Sequence, residues 1–297
     1  MNKSFVGLYT ALVTPFNKDK SINYTTLERL INYQIASGVN GIVILGTTGE
    51  GSVINKEESI RIIKVAVRTV NSKIKVIMCI NNNNIQDSVT QSKKAQDLGV
   101  DAILSLTPYY SKPPQNGIYQ YFVKLADSID IPIILYNVQS RTNVNLTSDT
   151  TIRLSKHKKI IGIKEASGDI IQIMDVIQNA DKDFIILSGE DILTYPLICL
   201  GSHGVISVVS NIFPIEMKNI VSAYNSNNFS IAKTIHYNMR DLMSVLMSIS
   251  SNPIPIKTLL AIKGIIEEQF RLPLCNIEKY KRDKLARIYN KYLLTNV

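Results

Sequence analysis

Cysteine is scarce in this 297-residue chain, and Cys79, Cys199 and Cys275 stand far apart, each beside apolar neighbours. An odd, scattered set makes no disulfide framework, and no pair has zinc-ligand spacing. Three reduced core cysteines are therefore expected. Histidine is equally rare: His157, His203 and His236 have no ligand-spaced partners, so no metal site is expected. No apolar run approaches the roughly 18 residues that span a bilayer. The opening stretch 1–7 runs into strand-like sequence and Pro15, with no signal-peptide core or small-residue cleavage site. A cytoplasmic protein with no membrane partner is the expectation. There is also no low-complexity linker, and no repeat beyond a strand–helix unit.

What the chain has in quantity is apolar sequence, 45% of its residues. That is ample for one large core and a smaller appendage. The net charge of +9 comes from basic residues spread along helical stretches among acidic ones, while Ile, Asn and Lys are abundant throughout. A diffuse excess of this kind favours anionic substrates and leaves no nucleic-acid footprint.

The apolar residues fall in short β-branched runs separated by longer amphipathic stretches. The runs predict strands at 7–14, 41–45, 75–80, 102–106, 132–136, 160–164, 184–188 and 204–208. Strands this uniformly apolar must be covered on both faces, as in parallel barrels. Leu27, Leu30, Ile31 and Ile35 recur at helical spacing before a stop at Ala36-Ser37-Gly38. Asn55-Lys56-Glu57-Glu58 reads as a capping start. Stretches 88–98, 116–127, 147–155, 169–179, 193–200 and 214–224 supply the other helices. An open doubly wound sheet is the alternative, but the even eight-fold alternation favours closure. Asn225-Ser226-Asn227-Asn228 breaks that alternation, and helical sequence follows at 231–249, 256–269 and 278–294. The expected fold is thus an α/β (β/α)8 TIM barrel over 1–224 with a C-terminal helical appendage over 225–297.

In such a barrel, functional groups gather where strands end. Lys164 closes the run Ile160-Ile161-Gly162-Ile163, which places an amine at the rim of an apolar barrel. Burial disfavours a charged ammonium, and an imine-forming lysine must be neutral when it attacks. The same position also suits a lysine that only snorkels to solvent. Gly46-Thr47-Thr48-Gly49 offers hydroxyls and backbone N–H groups to a small carboxylate, or it is simply a tight turn. Tyr109, Tyr110 and Tyr136 can pass protons or pack as core tyrosines. Arg141 can grip a carboxylate through its fork or lie idle in a surface loop.

Taken together, these residues resemble a known family. The chain is similar to the dihydrodipicolinate synthase (4-hydroxy-tetrahydrodipicolinate synthase) family of pyruvate-dependent class I aldolases. The match rests on Gly46-Thr47-Thr48-Gly49-Glu50, Thr107-Pro108-Tyr109-Tyr110-Ser111-Lys112-Pro113, Tyr136-Asn137-Val138 with Arg141-Thr142, and Gly162-Ile163-Lys164-Glu165-Ala166. It extends through Ser188-Gly189, Gly204-Val205-Ile206-Ser207 and Asn252-Pro253-Ile254-Pro255-Ile256-Lys257. N-acetylneuraminate lyases share the Schiff-base lysine and the tyrosine after strand 5. They usually lack the paired threonines, the Tyr-Tyr pair and the arginine.

The resemblance implies that pyruvate forms a Schiff base on Lys164 and condenses with L-aspartate 4-semialdehyde in diaminopimelate and lysine biosynthesis. It implies Tyr136 as general acid and base, with Thr47 and Tyr110 completing a hydroxyl relay and Tyr110 reaching in from a neighbouring subunit. Thr48 would hold pyruvate's carboxylate, Arg141 the second substrate's, and Gly189 and Ile206 would give backbone contacts. It further implies a homotetramer built as a dimer of dimers, and chemistry that needs no cofactor. Two other readings stand beside it: a lyase for N-acetylneuraminate or a keto-deoxy sugar acid, and a non-catalytic keto-acid-binding paralogue.

The chain also departs from the family pattern. Gln139 replaces a usual proline, and Asn143 a usual glycine, although asparagine tolerates a left-handed backbone. Met78-Cys79-Ile80-Asn81 replaces a glycine-rich end of strand 3. Histidines carried near Lys56 and Ser59 by lysine-inhibited relatives are missing, while Asn83, Asp87 and Tyr109 stand at matching places. Weak or absent inhibition by L-lysine is expected.

Overall fold

The computed structural model describes residues 2–295. Its strands are β1 (Gly7–Ala11), β2 (Gly41–Ile44), β3 (Lys75–Ile80), β4 (Ala102–Leu106), β5 (Ile133–Asn137), β6 (Ile160–Glu165), β7 (Ile185–Ser188) and β8 (Gly204–Ser207). All pair in parallel and in chain order, and β8 closes on β1. Helices α1 (Tyr24–Ala36), α2 (Lys56–Val70), α3 (Ile85–Asp97) and α4 (Gln115–Asp127) cover the first half. A one-turn α5 (Gln139–Thr142) and α6 (Ser148–Ser155) follow β5, and α7 (Ile170–Asn179), α8 (Thr194–Leu200) and α9 (Pro214–Asn225) complete the ring. Then come α10 (Phe229–Ser248), α11 (Ile254–Ile262) and α12 (Lys279–Thr295). The expected eight-fold barrel with C-terminal helices is what forms. Among the described residues, no helix is long and apolar enough to cross a membrane.

Strand alternation divides the apolar residues into two cores. Tyr9, Val43, Ile77, Cys79, Leu104, Ile134, Leu187 and Ile206 point inward and fill the barrel. Leu8, Ile42, Ile44, Ile103, Ile133 and Ile163 point outward against Leu27, Ile31, Ile62, Phe122 and Leu154 of the helices. Residues buried on both faces of the sheet explain why the strands read as continuous apolar runs. The β5–β6 register slips between Ile133 and Ile134, after which Tyr136 pairs with Lys164. A bulge there re-aims the strand end, so Lys164 joins the inward-facing set.

Helix starts follow their capping residues. Asn55 and Glu58 make a reciprocal capping box on α2, as the sequence predicted. Asn23, Asn84, Thr147 and Asp169 cap α1, α3, α6 and α7 with side-chain acceptors.

Several expectations need correction. Strand β1 stops at Ala11 rather than at residue 14, because Val13 N–H turns to the Asn211 side chain at 3.1 Å. The helix expected over 256–269 runs only from Ile254 to Ile262. Gly264 takes a left-handed φ of +70°, and Ile265 N–H closes on the Leu260 carbonyl at 2.9 Å, a Schellman-type stop that the sequence reading overlooked. Cys79 is buried, but Cys199 and Cys275 are exposed, so only one of three is a core cysteine. Local apolar neighbours do not say which face of α8 Cys199 takes, nor that Cys275 falls in an irregular surface segment between α11 and α12.

Candidate active site

A cavity of about 580 Å³ opens at the C-terminal ends of the strands. Lys164 and Tyr136 form its floor, each only 6% exposed, with Ala11, Val43, Cys79 and Leu104 beside them. Lys164 Nζ lies 4.3 Å from the centre of the Tyr136 ring, a consequence of their pairing across β5 and β6. Burial pushes the Cys79 thiol up to about 12, against a smaller opposing pull from the Lys164 charge. Cys79 is therefore a neutral wall rather than a rival nucleophile.

Behind this pair, on the outer face of the strands, sits a buried polar lock. Asn137 Nδ2 donates to both Glu165 oxygens at 3.2 and 3.3 Å, and Asn137 Oδ1 accepts from Leu146 N–H at 3.0 Å. Burial raises the Glu165 carboxyl, and hydrogen bonds from Ser167 partly offset that rise. Asn137 and Glu165 each directly follow a floor residue, so the lock fixes the strand ends that carry Tyr136 and Lys164.

The loop after β2 forms one wall. Glu50 N–H donates to the Thr47 carbonyl and Gly51 N–H to the Gly46 carbonyl, both at 3.1 Å, which closes a tight turn. A Cβ at Gly51 would lie 1.9 Å from the Leu45 carbonyl oxygen, so only glycine fits there. Thr47 and Thr48 both line the cavity. Thr48 Oγ1 accepts from Asn252 Nδ2 at 3.0 Å, which leaves the threonine proton available to a ligand.

Across the mouth, α5 presents Arg141, whose Nη2 reaches the Asn252 carbonyl at 3.4 Å. Asn143 ends this helix with a left-handed φ of 56°, so asparagine does there what a glycine would do. Gly189 and Glu190, just past β7, complete the rim. Burial raises the Glu190 carboxyl, and the adjacent Asp191 adds to the rise.

Six of the eight residues to which the resemblance gives site roles line this one cavity: Lys164, Tyr136, Thr47, Thr48, Arg141 and Gly189. Ile206 is instead fully buried within β8, paired with Tyr9. Tyr110 sits in the loop after β4, 90% exposed and left-handed at φ 68°, outside the cavity of its own chain. Sequence reasoning assigned no role to Asn252, Glu190 or the serines Ser248, Ser250 and Ser251, which also line the cavity. Asn252 stood inside a quoted motif, but only the folded chain brings it to Thr48, 204 residues away.

Comparison with known proteins agrees with this fold. The model of the dihydrodipicolinate synthetase family matches residues 4–292. The chain is 42% identical over 284 residues to 4-hydroxy-tetrahydrodipicolinate synthase of Thermodesulfovibrio yellowstonii, covering 96% of this chain and 97% of that one. It is 43% identical over 288 residues to the enzyme of the same name from Protochlamydia amoebophila, with 96% of each chain covered. Among solved structures, dihydrodipicolinate synthase from Aquifex aeolicus superposes with a TM-score of 0.94 at 37% identity, over 98% of this chain and 99% of that one.

Proposed function

The chain belongs to the dihydrodipicolinate synthetase family, and from that membership we propose that its cavity condenses pyruvate with L-aspartate 4-semialdehyde through a Schiff base on Lys164. The observation that carries this reading is the buried Lys164 amine beside Tyr136 at the floor of the barrel mouth. It is a lyase reaction of diaminopimelate and lysine biosynthesis.

Pyruvate enters with its carboxylate toward the Thr47 and Thr48 hydroxyls. The neutral Lys164 amine adds to the keto carbon, and the resulting carbinolamine loses water to give an iminium. Tyr136 passes the protons that these steps require. The iminium withdraws electrons, so the methyl group releases a proton and becomes the terminal carbon of an enamine. That carbon adds to the aldehyde of the second substrate, and the aldehyde oxygen takes up a proton. The substrate's amine then attacks the iminium carbon, which closes the ring and frees Lys164. Arg141 holds the second carboxylate, a task its fork geometry suits, while Gly189 and Ile206 give backbone contacts.

Tyr110 completes the relay with Thr47 only if a second copy brings it in, because in its own chain it points to solvent. A homotetramer is part of the proposal. Ile170, Ile171, Met174, Leu200 and Tyr237, exposed on α7, α8 and α10, offer apolar surface for a further interface. The proposed setting is the cytoplasm, where three unpaired cysteines stay reduced.

Borohydride reduction in the presence of pyruvate should fix a three-carbon adduct on the wild-type protein and none on Lys164→Ala. An undiminished adduct in the variant would reject the assignment. Turnover with aspartate semialdehyde should exceed cleavage of N-acetylneuraminate or keto-deoxy-gluconate; the reverse order would redirect the substrate assignment.

A further inference from the structure

Glu50 and Lys257 form a fully buried ion pair, Nζ to Oε1 2.5 Å, between the turn after β2 and helix α11. Lys257 comes five residues after Asn252, so the segment that bonds Thr48 also delivers the ammonium that holds Glu50. The second Glu50 oxygen accepts the Arg271 backbone N–H at 3.2 Å. Lys257 Nζ also lies over the Phe16 ring at 4.2 Å and the Phe270 ring at 5.1 Å. A charge pair sealed from water on all sides is costly to form unless geometry and added hydrogen bonds repay the lost solvation. Its location explains what it secures. Glu50 is left-handed, at φ 53°, and closes the turn through its N–H to the Thr47 carbonyl. Backbone bonds close that turn on itself and Thr48 adds its bond to Asn252, while the Glu50 carboxylate supplies the charged tie to α11.

We propose that Glu50 and Lys257 are positioning residues for the keto acid: their ion pair holds the turn that carries Thr47 and Thr48 in the shape that receives pyruvate's carboxylate. The inference rests on the Schiff-base reading above and deepens it. Neither side chain lines the cavity, so each acts through the threonines. Losing one partner leaves the other charge buried and uncompensated, which favours movement of the turn and α11 apart toward water. That movement displaces the threonine hydroxyls while Lys164 and Tyr136, held by the separate Asn137–Glu165 lock, keep their places. The defect therefore falls on keto-acid affinity more than on the covalent step.

The same pair makes affinity sensitive to alkali. Burial lowers Lys257 to about 8, and Glu50 opposes this. The other charges facing Lys257 are Lys20, from the β1–α1 loop, and Arg271, which follows α11 and is itself paired with Glu58 of α2. Both cations push in the same direction as burial.

The test measures the pyruvate concentration that gives half-maximal borohydride trapping, beside kcat at saturating pyruvate. Lys257→Met and Glu50→Gln should each raise half-saturation roughly tenfold or more, with a smaller change in kcat. Because the two charges are coupled, the Lys257→Met/Glu50→Gln double variant should return to within about threefold of wild type. Wild-type half-saturation should climb above a pH of about 8, and that limb should flatten in the double variant. Wild-type half-saturation in both single variants would overturn the proposal, as would a double variant no better than either single one. If the single variants do not fold, the wild-type and double-variant pH profiles decide; an identical alkaline limb in both sinks it. Absence of any wild-type adduct would instead reject the Schiff base itself, so the two failures are distinct.

Discussion

Two loops at the same barrel rim carry hydroxyls assigned to one proton relay, yet they are built on opposite plans. The turn after β2 is buried: Thr48 is 3% exposed and Glu50 2%, and both are tied to the C-terminal segment through Asn252 and Lys257. The loop after β4 projects outward, with Tyr110 90% exposed. Its anchors are local, a pair of bonds between Asn83 and the Tyr109 backbone at 2.8 and 3.0 Å. The first loop finds its partners within the chain. The second holds a left-handed, exposed tyrosine that does not line the cavity of its own chain, an orientation that would suit contact with a neighbouring subunit. On the function proposed above, one half of the relay would be finished by folding and the other by assembly.

The sharpest way to break this contrast is to remove one hydroxyl from each floor or rim position. Tyr136→Phe and Tyr110→Phe should each lower turnover by about 10²–10⁴. Only Tyr110→Phe should be complemented, by mixing with Lys164→Ala subunits, because both defects then fall in one cavity of the assembly and the other cavity is left intact. A wild-type rate in Tyr110→Phe would leave the second loop outside the mechanism.

Stability offers a second test, with a smaller effect. Lys257→Met should destabilise the protein by about 3–5 kcal/mol, since it strands a buried carboxylate. Tyr110→Phe should change stability by less than about 0.5 kcal/mol, as expected for an exposed side chain. Denaturant titration of both variants decides. Equal midpoints would erase the difference between the loops.

The smallest expected effect concerns regulation. Asn83 bonds the Tyr109 backbone in the exposed loop, Asp87 lies in the first turn of α3, and Lys56 is exposed at the start of α2. An ammonium at position 56 repels a cationic amino acid, so L-lysine at sub-millimolar concentration should leave the rate unchanged. A clear inhibition curve would overturn this expectation.

Much of the architecture was legible before folding was considered. Apolar runs of strand length recurred eight times, because a strand buried on both faces has nowhere to place polar residues. Lys164, Tyr136 and the paired threonines stood out because strand ends become neighbours in any closed parallel barrel. Errors came where a distant side chain or a left-handed residue intervened. Asn211 ended β1 early, Gly264 cut α11 short, helical face decided that Cys199 is exposed, and Cys275 lies exposed in the irregular segment between α11 and α12.

By itself, then, the chain's order of residues determined the barrel and the identity of the groups at its mouth, since both follow from local periodicity. Tertiary structure alone decided that Asn252 would bond Thr48, that Lys257 would meet Glu50 out of water, and that Tyr110 would face away. Those contacts join residues as much as 207 positions apart. Nothing in local sequence encodes such a meeting, because it depends on where the helices beyond the barrel come to rest against its rim.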